Sequence, residues 1–213
     1  MPKFWYKKEM STSKHNEVDI FDLLCYILVR KGSEGMKNRL RIKNMTHIAL
    51  GAVILTVCSW ISIPTPLIPF TLQTFGIFLL VYLFGAKKAF ASLTVYILLG
   101  LIGVPVFSSF RTGIAVLFGV TGGYVIGFLL SVGFCAAAGA IFSKNRCVRL
   151  LVSFASLLAC YAVGSAWVVY VSGMNESFLQ LLWGSIASFG VFDCIKIVFA
   201  DTLSSYLKKI ISI

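Results

Sequence analysis

Three charged side chains stand in apolar stretches where a charge needs a reason. Arg111 lies in SSFRTG and is the only charged residue between Lys88 and Lys144; Asp193 and Lys196 lie together in FDCIK. A guanidinium pairs well with a carboxylate, and a buried carboxylate is a strong acceptor for N–H donors. Asp193 and Lys196 are three residues apart, which places both on one face of a helix. Asp193 also falls early in its predicted helix, where the dipole favours an anion. A mutual salt bridge is the plain structural reading of this pair. Together with Arg111 it gathers two cations and one anion, a set suited to a ligand carboxylate and to the N–H donors of a polar ring.

Other chemistries lack their residues. The only histidines are His15 and His47, too few for a histidine metal site or a catalytic triad. The six cysteines (Cys25, Cys58, Cys135, Cys147, Cys160 and Cys194) form no C-x-x-C pair and read as small unpaired residues. No G-x-x-x-x-G-K-[ST] is present, so this chain does not hold ATP by a P-loop. Asp193 and Asp201 are eight residues apart; on a helix that separates them by ~12 Å along the axis, too far for a carboxylate dyad. An intramembrane enzyme is thereby set aside. Asp201 is expected to pair with Lys208 or Lys209 or to meet a partner protein, and Glu176 to be solvated loop.

The elements that position these groups are membrane helices. Of 213 residues, 58% are hydrophobic and only 13% charged, against about 25% charged in soluble domains, and mean hydropathy is +0.90. The net charge of +11 does not indicate nucleic acid, because the basic residues lie between apolar segments and form no patch of their own. About 20 apolar residues cross a bilayer. The pattern predicts helices over 45–63, 71–86, 89–103, 114–142, 150–172 and 190–207, with 178–188 a short outer segment leading into the last. Lys37, Arg39, Arg41 and Lys43 precede the first helix, Lys87 and Lys88 follow the second, Lys144, Arg146 and Arg149 follow the fourth, and Lys208 and Lys209 close the sixth. The alternate loops hold no Lys or Arg except Arg111. The positive-inside rule then predicts an all-α membrane protein with six transmembrane helices, both termini cytoplasmic and an outward-facing binding pocket.

Residues 1–44 mix ten basic with five acidic residues and do not fit a signal peptide. They read as a basic cytoplasmic extension, dispensable to a transmembrane domain over 45–213. IFDLLCYILV is too short and interrupted to span, and suits a surface amphipathic helix. In the fourth helix small residues recur every four positions: Gly119, Gly123, Gly127, Ser131, Cys135 and Gly139. Ser156, Cys160 and Gly164 repeat the pattern in the fifth. Such stripes let helix backbones approach closely in lipid. Gly122 breaks the period beside Gly123 at the outer end, where a backbone approach to a ligand competes with packing. Prolines 64, 66 and 69 stiffen the loop ISIPTPLIPF and delay the second helix; the loop reads as a simple connector or, being unusually apolar for exposed chain, as a lid over a site. Gln73 follows it, placed either to cap the helix or to reach a ligand.

IPTPLIPFTLQTFG, LLGLIGVPVF, LFGVTGGYVIGFLL and DCIK occur in this order, and together they resemble the BioY family, the biotin-binding S components of energy-coupling factor (ECF) vitamin transporters. The resemblance covers residues 45–209. It implies a six-helix protein of the cell membrane that captures biotin from outside, does no chemistry on it, uses no cofactor, and works with a transmembrane coupling subunit and two ABC-type ATPases. An S component for another small vitamin is the alternative. The family's charged biotin-site residues match Arg111, Asp193 and Lys196, and its gating loop matches residues 62–70. This chain departs from the family's usual pattern at Val120, where a proline is common before TGGY, and in the approaches to Arg111 and Asp193. The family's A-x-x-x-A docking pattern is matched only loosely by Ala49 and Val53. Biotin offers a ureido ring, an apolar bicycle and a valerate carboxylate. The expectation is that Asp193 accepts a ureido N–H, that Arg111 or Lys196 pairs the carboxylate, that Tyr96, Phe107 and Tyr124 wall the rings, and that Gln73, Gly122 and Gly123 complete the site.

Overall fold

The computed structural model describes residues 20–63, 69–138, 145–173 and 178–211, with side chains described from residue 38 to residue 210. The chain divides into two units, Met1–Lys43 and Asn44–Ile213. In the first, the described residues from Ile20 onward are helical, so IFDLLCYILV has helical backbone; its side chains lie outside those described. The second unit holds the candidate site.

Helix α1 (Ile20–Trp60) ends where Ser62–Ile63 (β1) pairs antiparallel with Phe70–Thr71 (β2), Ser62 opposite Thr71 and Ile63 opposite Phe70. These two rungs form the base of a hairpin. Residues 64–68, including two of the three loop prolines of the predicted lid, lie outside the described residues. Helix α2 (Gln73–Phe84) starts two residues later than expected and is buried nearly throughout. It passes to α3 (Ala86–Leu101) through the single residue Gly85, whose φ of 88° a side chain would strain. The connection from α3 to α4 (Ile114–Phe118) is tied down at several points. Gly113 N–H donates to Gly100 O (2.8 Å), Trp60 Nε1 donates to Pro105 O (2.8 Å), and Ser59 Oγ donates to Val106 O.

Two expected spans differ in the structure. The predicted fourth helix, 114–142, is broken. Helix α4 stops at Gly119, and α5 (Gly122–Ala137) begins after one turn, with residues 139–144 outside those described. Gly119 is extended at ψ −177° and its N–H returns to Ala115 O at 2.9 Å. The Gly119 carbonyl, freed from helical bonding, accepts Trp167 Nε1 at 3.0 Å. The Leu117 carbonyl occupies the place where a Cβ on Gly122 would lie, so the tight turn requires that glycine. Conversely, the expected outer segment and sixth helix are one helix, α7 (Phe178–Ile211), running through Ser188 and Gly190. A helical glycine costs only about 1 kcal/mol against alanine, too little to end a long apolar helix.

Helix α6 (Arg146–Ser172) packs along α5, and α2 packs along α7. The small-residue stripes serve the first contact: a Cβ on Gly127 would sit 2.7 Å from Cys160 Sγ, and one on Gly164 would sit 2.6 Å from the Tyr124 ring. Ser131 Oγ adds a hydrogen bond across the same seam to Ser156 O (2.6 Å). Among the described residues, three helices are long and apolar enough to cross a membrane: Asn38–Trp60, Arg146–Ser172 and Phe178–Ile210. The protein is a helical membrane protein.

One end of the bundle collects basic residues. Lys88 Nζ lies 3.1 Å from His47 Nδ1, and His47 stacks on Phe84. Asp201, fully buried, accepts Arg146 Nε at 2.8 Å and Arg149 Nε at 2.7 Å, with Arg149 Nη2 on the same carboxylate oxygen. Arg149 also lies over the Tyr82 ring. The expected partners of Asp201, Lys208 and Lys209, are thus replaced by two arginines at the start of α6. The antiparallel course of α6 and α7 brings those arginines level with the last turns of α7, and a fork-shaped guanidinium suits a buried carboxylate better than a flexible ammonium.

Candidate ligand-binding site

The opposite end holds a narrow cavity, open at its mouth, of about 70 Å³. Its floor is polar. Asp193, on α7, is 4% exposed, and Lys196, one turn on, is 9% exposed. Lys196 Nζ donates to Asp193 Oδ1 at 2.7 Å and to Thr71 O, at the hairpin base, at 2.8 Å, and lies 3.8 Å above the Phe70 ring. Asp193 Oδ2 accepts Tyr161 OH from α6 at 2.6 Å and Thr74 Oγ1 from α2 at 3.4 Å. Four elements therefore converge on one buried ion pair, whose desolvation is offset by hydrogen bonds on both partners. The carboxylate has about four lone-pair sites and the ammonium three protons. One site on each is uncommitted among the described residues.

Aromatic and apolar groups wall the space above this floor. Tyr96, Phe107, Tyr124, Phe70, Phe128 and Phe189 all line it. Phe107 meets Tyr96 edge-on, with ring centroids 5.6 Å apart, and rests over Gly100, where a Cβ would strike its ring. Tyr124 OH is fixed by Ser185 Oγ at 2.9 Å. The result is an apolar slot with a few convergent polar groups, the usual make-up of a small-molecule site.

The expected site residues fall into three groups. Asp193, Lys196, Gln73, Tyr96, Phe107 and Tyr124 share the cavity. Arg111 does not line it. The arginine is exposed, its Nε donating to Ser108 O (3.3 Å) and its Nη2 to Ser108 Oγ (3.4 Å), and it borders an adjoining hollow with Thr112, Ala115 and Gly119. Val116 and Thr121 line both spaces, so Arg111 stands at the neighbouring mouth rather than beside the ion pair. Ser109 and Phe110, just before it, both hold φ at 59°, a left-handed conformation that costs about 1–3 kcal/mol for a side-chain-bearing residue and clusters at ligand clamps. Gly122 and Gly123 line neither space; the first closes on the Leu117 carbonyl and the second on the Trp167 side chain.

Sequence reasoning missed Tyr161, Thr74 and the Thr71 carbonyl. Tyr161 sits next to Cys160 in the small-residue stripe of α6, and that period carries a usable signal, since a hydroxyl one position off a packing stripe flanks the helix contact. Thr74 directly follows Gln73 in TLQT. The Thr71 carbonyl had no signal, because any residue supplies one.

Residues 36–213 match the BioY family. The "Biotin transporter BioY" of Thermotoga maritima is 34% identical over 79% of this chain and 98% of its own length. The "Probable biotin transporter BioY" of Pyrococcus horikoshii is 32% identical over the same shares of the two chains. Among solved structures, the S-component for biotin from an ECF-type ABC transporter superposes with a TM-score of 0.70 at 27% identity, covering 81% of this chain and 94% of that one. With a buried Asp–Lys pair under an aromatic-walled cavity, and a match reaching from Met36 to the last residue, the chain belongs to the BioY family.

Proposed function

We propose that this chain is the biotin-capturing S component of an ECF-type uptake system, a transport subunit and not an enzyme. The observation that carries the reading is the buried Asp193–Lys196 pair beneath an aromatic slot in a chain whose relatives are named biotin transporters. The uncommitted acceptor site on Asp193 suits a ureido N–H, while Lys196 holds that carboxylate in place through Oδ1. Tyr96, Phe107 and Tyr124 face the apolar bicycle. Arg111, exposed at the adjoining hollow, takes the valerate carboxylate, since two of the three Lys196 protons are held by Asp193 and Thr71 while the guanidinium keeps most of its donors free for an anion. Gly122 and Gly123 act through shape, letting α5 close on α4 and on Trp167.

Six crossings are supported by α1, α2, α3, the α4–α5 pair, α6 and α7. Helix α2 is only ~18 Å long at about 1.5 Å per residue, so its crossing is completed by the hairpin strand before it. Lys88, Arg146 and Arg149 gather at one end, and Arg111 lies at the other beside the end of α1. With the basic end cytoplasmic, both termini are cytoplasmic and the cavity opens outward. A membrane coupling subunit and two ATPases supply the energy that a chain without a P-loop cannot. Residues 62–70 act as the gate, their hinge being the two rungs between β1 and β2. Residues 1–44 are dispensable for capture.

The test is a titration of purified chain with biotin, together with Arg111→Ala. A charge-assisted hydrogen bond contributes about 1.5–3 kcal/mol, so Arg111→Ala weakens biotin about tenfold or more while biotin methyl ester, which lacks the charge, loses little. Equal affinity of wild type and variant for biotin refutes the role of Arg111. Binding of a different vitamin in place of biotin refutes the substrate and keeps the transporter class. Co-purification with ATPase subunits tests the assembly.

A further inference from the structure

The loop that carries Arg111 hangs on the last turn of α1. Ser59 Oγ donates to Val106 O, and Trp60 Nε1 donates to Pro105 O at 2.8 Å, so two adjacent side chains hold two adjacent carbonyls. A tryptophan at a membrane surface commonly turns its N–H to the wet side; this one spends it inside the protein. Beyond the clamp the chain folds back on itself. Phe107 N–H donates to Arg111 O (3.1 Å) and Arg111 N–H to Ser108 O (3.3 Å), which closes residues 107–111 into a turn. Its tip is strained. Ser109 and Phe110 both hold φ at 59°, and for a bulky residue such as Phe110 that conformation is an outlier. Strain of this kind persists only where the surroundings hold it. Phe110 is 62% exposed, and its ring packs against the Trp60 ring with centroids 5.0 Å apart. Trp60 thus grips the turn twice, by its N–H at the carbonyl before it and by its ring at the strained tip.

Arg111 directly follows Phe110. Among the described residues every hydrogen bond of its guanidinium goes to Ser108 of the same turn, so the direction of the turn is the direction of the charge. Trp60 itself lies outside both the cavity and the adjoining hollow. We propose that Trp60 is the positioning residue for Arg111: from the end of α1 it aims the guanidinium at the tail of the bound molecule and so sets the preference for a charged tail. The proposal rests on the reading of Arg111 as the partner of the ligand carboxylate. Phe107 shares the turn but has supports of its own, since its ring lies over Gly100 and meets Tyr96 edge-on. Loss of Trp60 therefore disturbs the tail contact and spares the aromatic wall.

The experiment measures, by calorimetry, binding of biotin and of biotin methyl ester to the purified full chain and to Arg111→Ala, Trp60→Ala, Trp60→Phe, Phe110→Ala and the double variant Trp60→Ala/Arg111→Ala. Wild type prefers biotin about tenfold or more. Trp60→Ala loses most of that preference, as Arg111→Ala does, and binds the ester nearly as wild type does. Trp60→Phe keeps a ring against Phe110 without the N–H, and restores part of the preference. Phe110→Ala lowers the preference from the other side of the ring contact. The double variant matches Arg111→Ala alone, because a positioning residue has nothing left to aim. Three results overturn the proposal: Trp60→Ala and Phe110→Ala that keep the wild-type preference, variants that weaken both ligands by the same factor, or a double variant whose preference falls below that of Arg111→Ala. Phe110→Ala removes an exposed side chain and leaves α1 intact, so it decides the matter even where Trp60→Ala does not fold. An Arg111→Ala that keeps the wild-type preference instead refutes the reading of Arg111, and the positioning role with it. Wild type that binds neither compound refutes the biotin reading itself.

Discussion

Replacing Asp193 by asparagine removes one charge from a buried pair and strands the other. Lys196 is 9% exposed, and breaking a buried pair from one side costs about 3–5 kcal/mol. Two contacts survive around the ammonium, the Thr71 carbonyl at 2.8 Å and the Phe70 ring at 3.8 Å. A cation over a ring contributes about 0.5–2 kcal/mol, which lowers the expected cost to about 2–4 kcal/mol. For a chain of this size that is a fall in Tm of about 5–15 °C. The double variant Asp193→Asn/Lys196→Met carries no stranded charge, and its asparagine oxygen still accepts Tyr161 OH. It therefore recovers stability to within about 1 kcal/mol of wild type, yet biotin binding stays lost, because the carboxylate acceptor is gone. Thermal unfolding in detergent and biotin calorimetry on the single and double variants read the two quantities separately. A double variant as unstable as the single one refutes the stranded-charge account. A double variant that binds biotin normally refutes the role of the carboxylate.

Three further outcomes follow from the same geometry. Asp201→Asn leaves Arg149, which is largely buried, without its charge partner and lowers Tm, while biotin affinity changes less than about threefold because the cluster lies at the end away from the cavity. Gly164→Ala pushes a methyl into the Tyr124 ring; overpacking costs about 1–3 kcal/mol, and because Tyr124 lines the cavity, calorimetry shows weaker biotin binding as well as a lower Tm. Tyr161→Phe removes the 2.6 Å bond to Asp193 with little change in volume, and weakens biotin about tenfold with a smaller effect on Tm than Asp193→Asn.

The charged part of the site was legible because charges are rare in this sequence: Asp193 and Lys196 stand out against apolar neighbours, and their spacing alone puts them together. Tyr96, Phe107 and Tyr124 were reached through the family's motifs, which fix order but not orientation. Arg111 stood out just as clearly, yet no sequence pattern tells that the turn at Ser109 and Phe110 aims it at the neighbouring hollow. Tyr161 was only half legible: its place beside the small-residue stripe puts the hydroxyl near a helix contact, but nothing in the sequence says that a carboxylate is there to meet it. The break at Gly119 was hidden for a related reason. The four-residue period of small side chains continues through it, but for two reasons: a Cβ on Gly119 would meet the Ala115 carbonyl of its own turn, while those on Gly123 and Gly127 would meet α6.

Asp193 and Asp201 sit on one helix, eight residues apart, and each is fastened to α6, the first through Tyr161 and the second through Arg146 and Arg149. Two rivets ~12 Å apart along the axis prevent one helix from sliding along or rolling over the other unless a buried charge pair is broken. Helices α6 and α7 thus form a splinted beam. Whatever admits or releases a ligand while both rivets hold must be a movement of lighter parts against that beam: the hairpin on Phe70 and Thr71, the strained turn before Arg111, and the short helix α4.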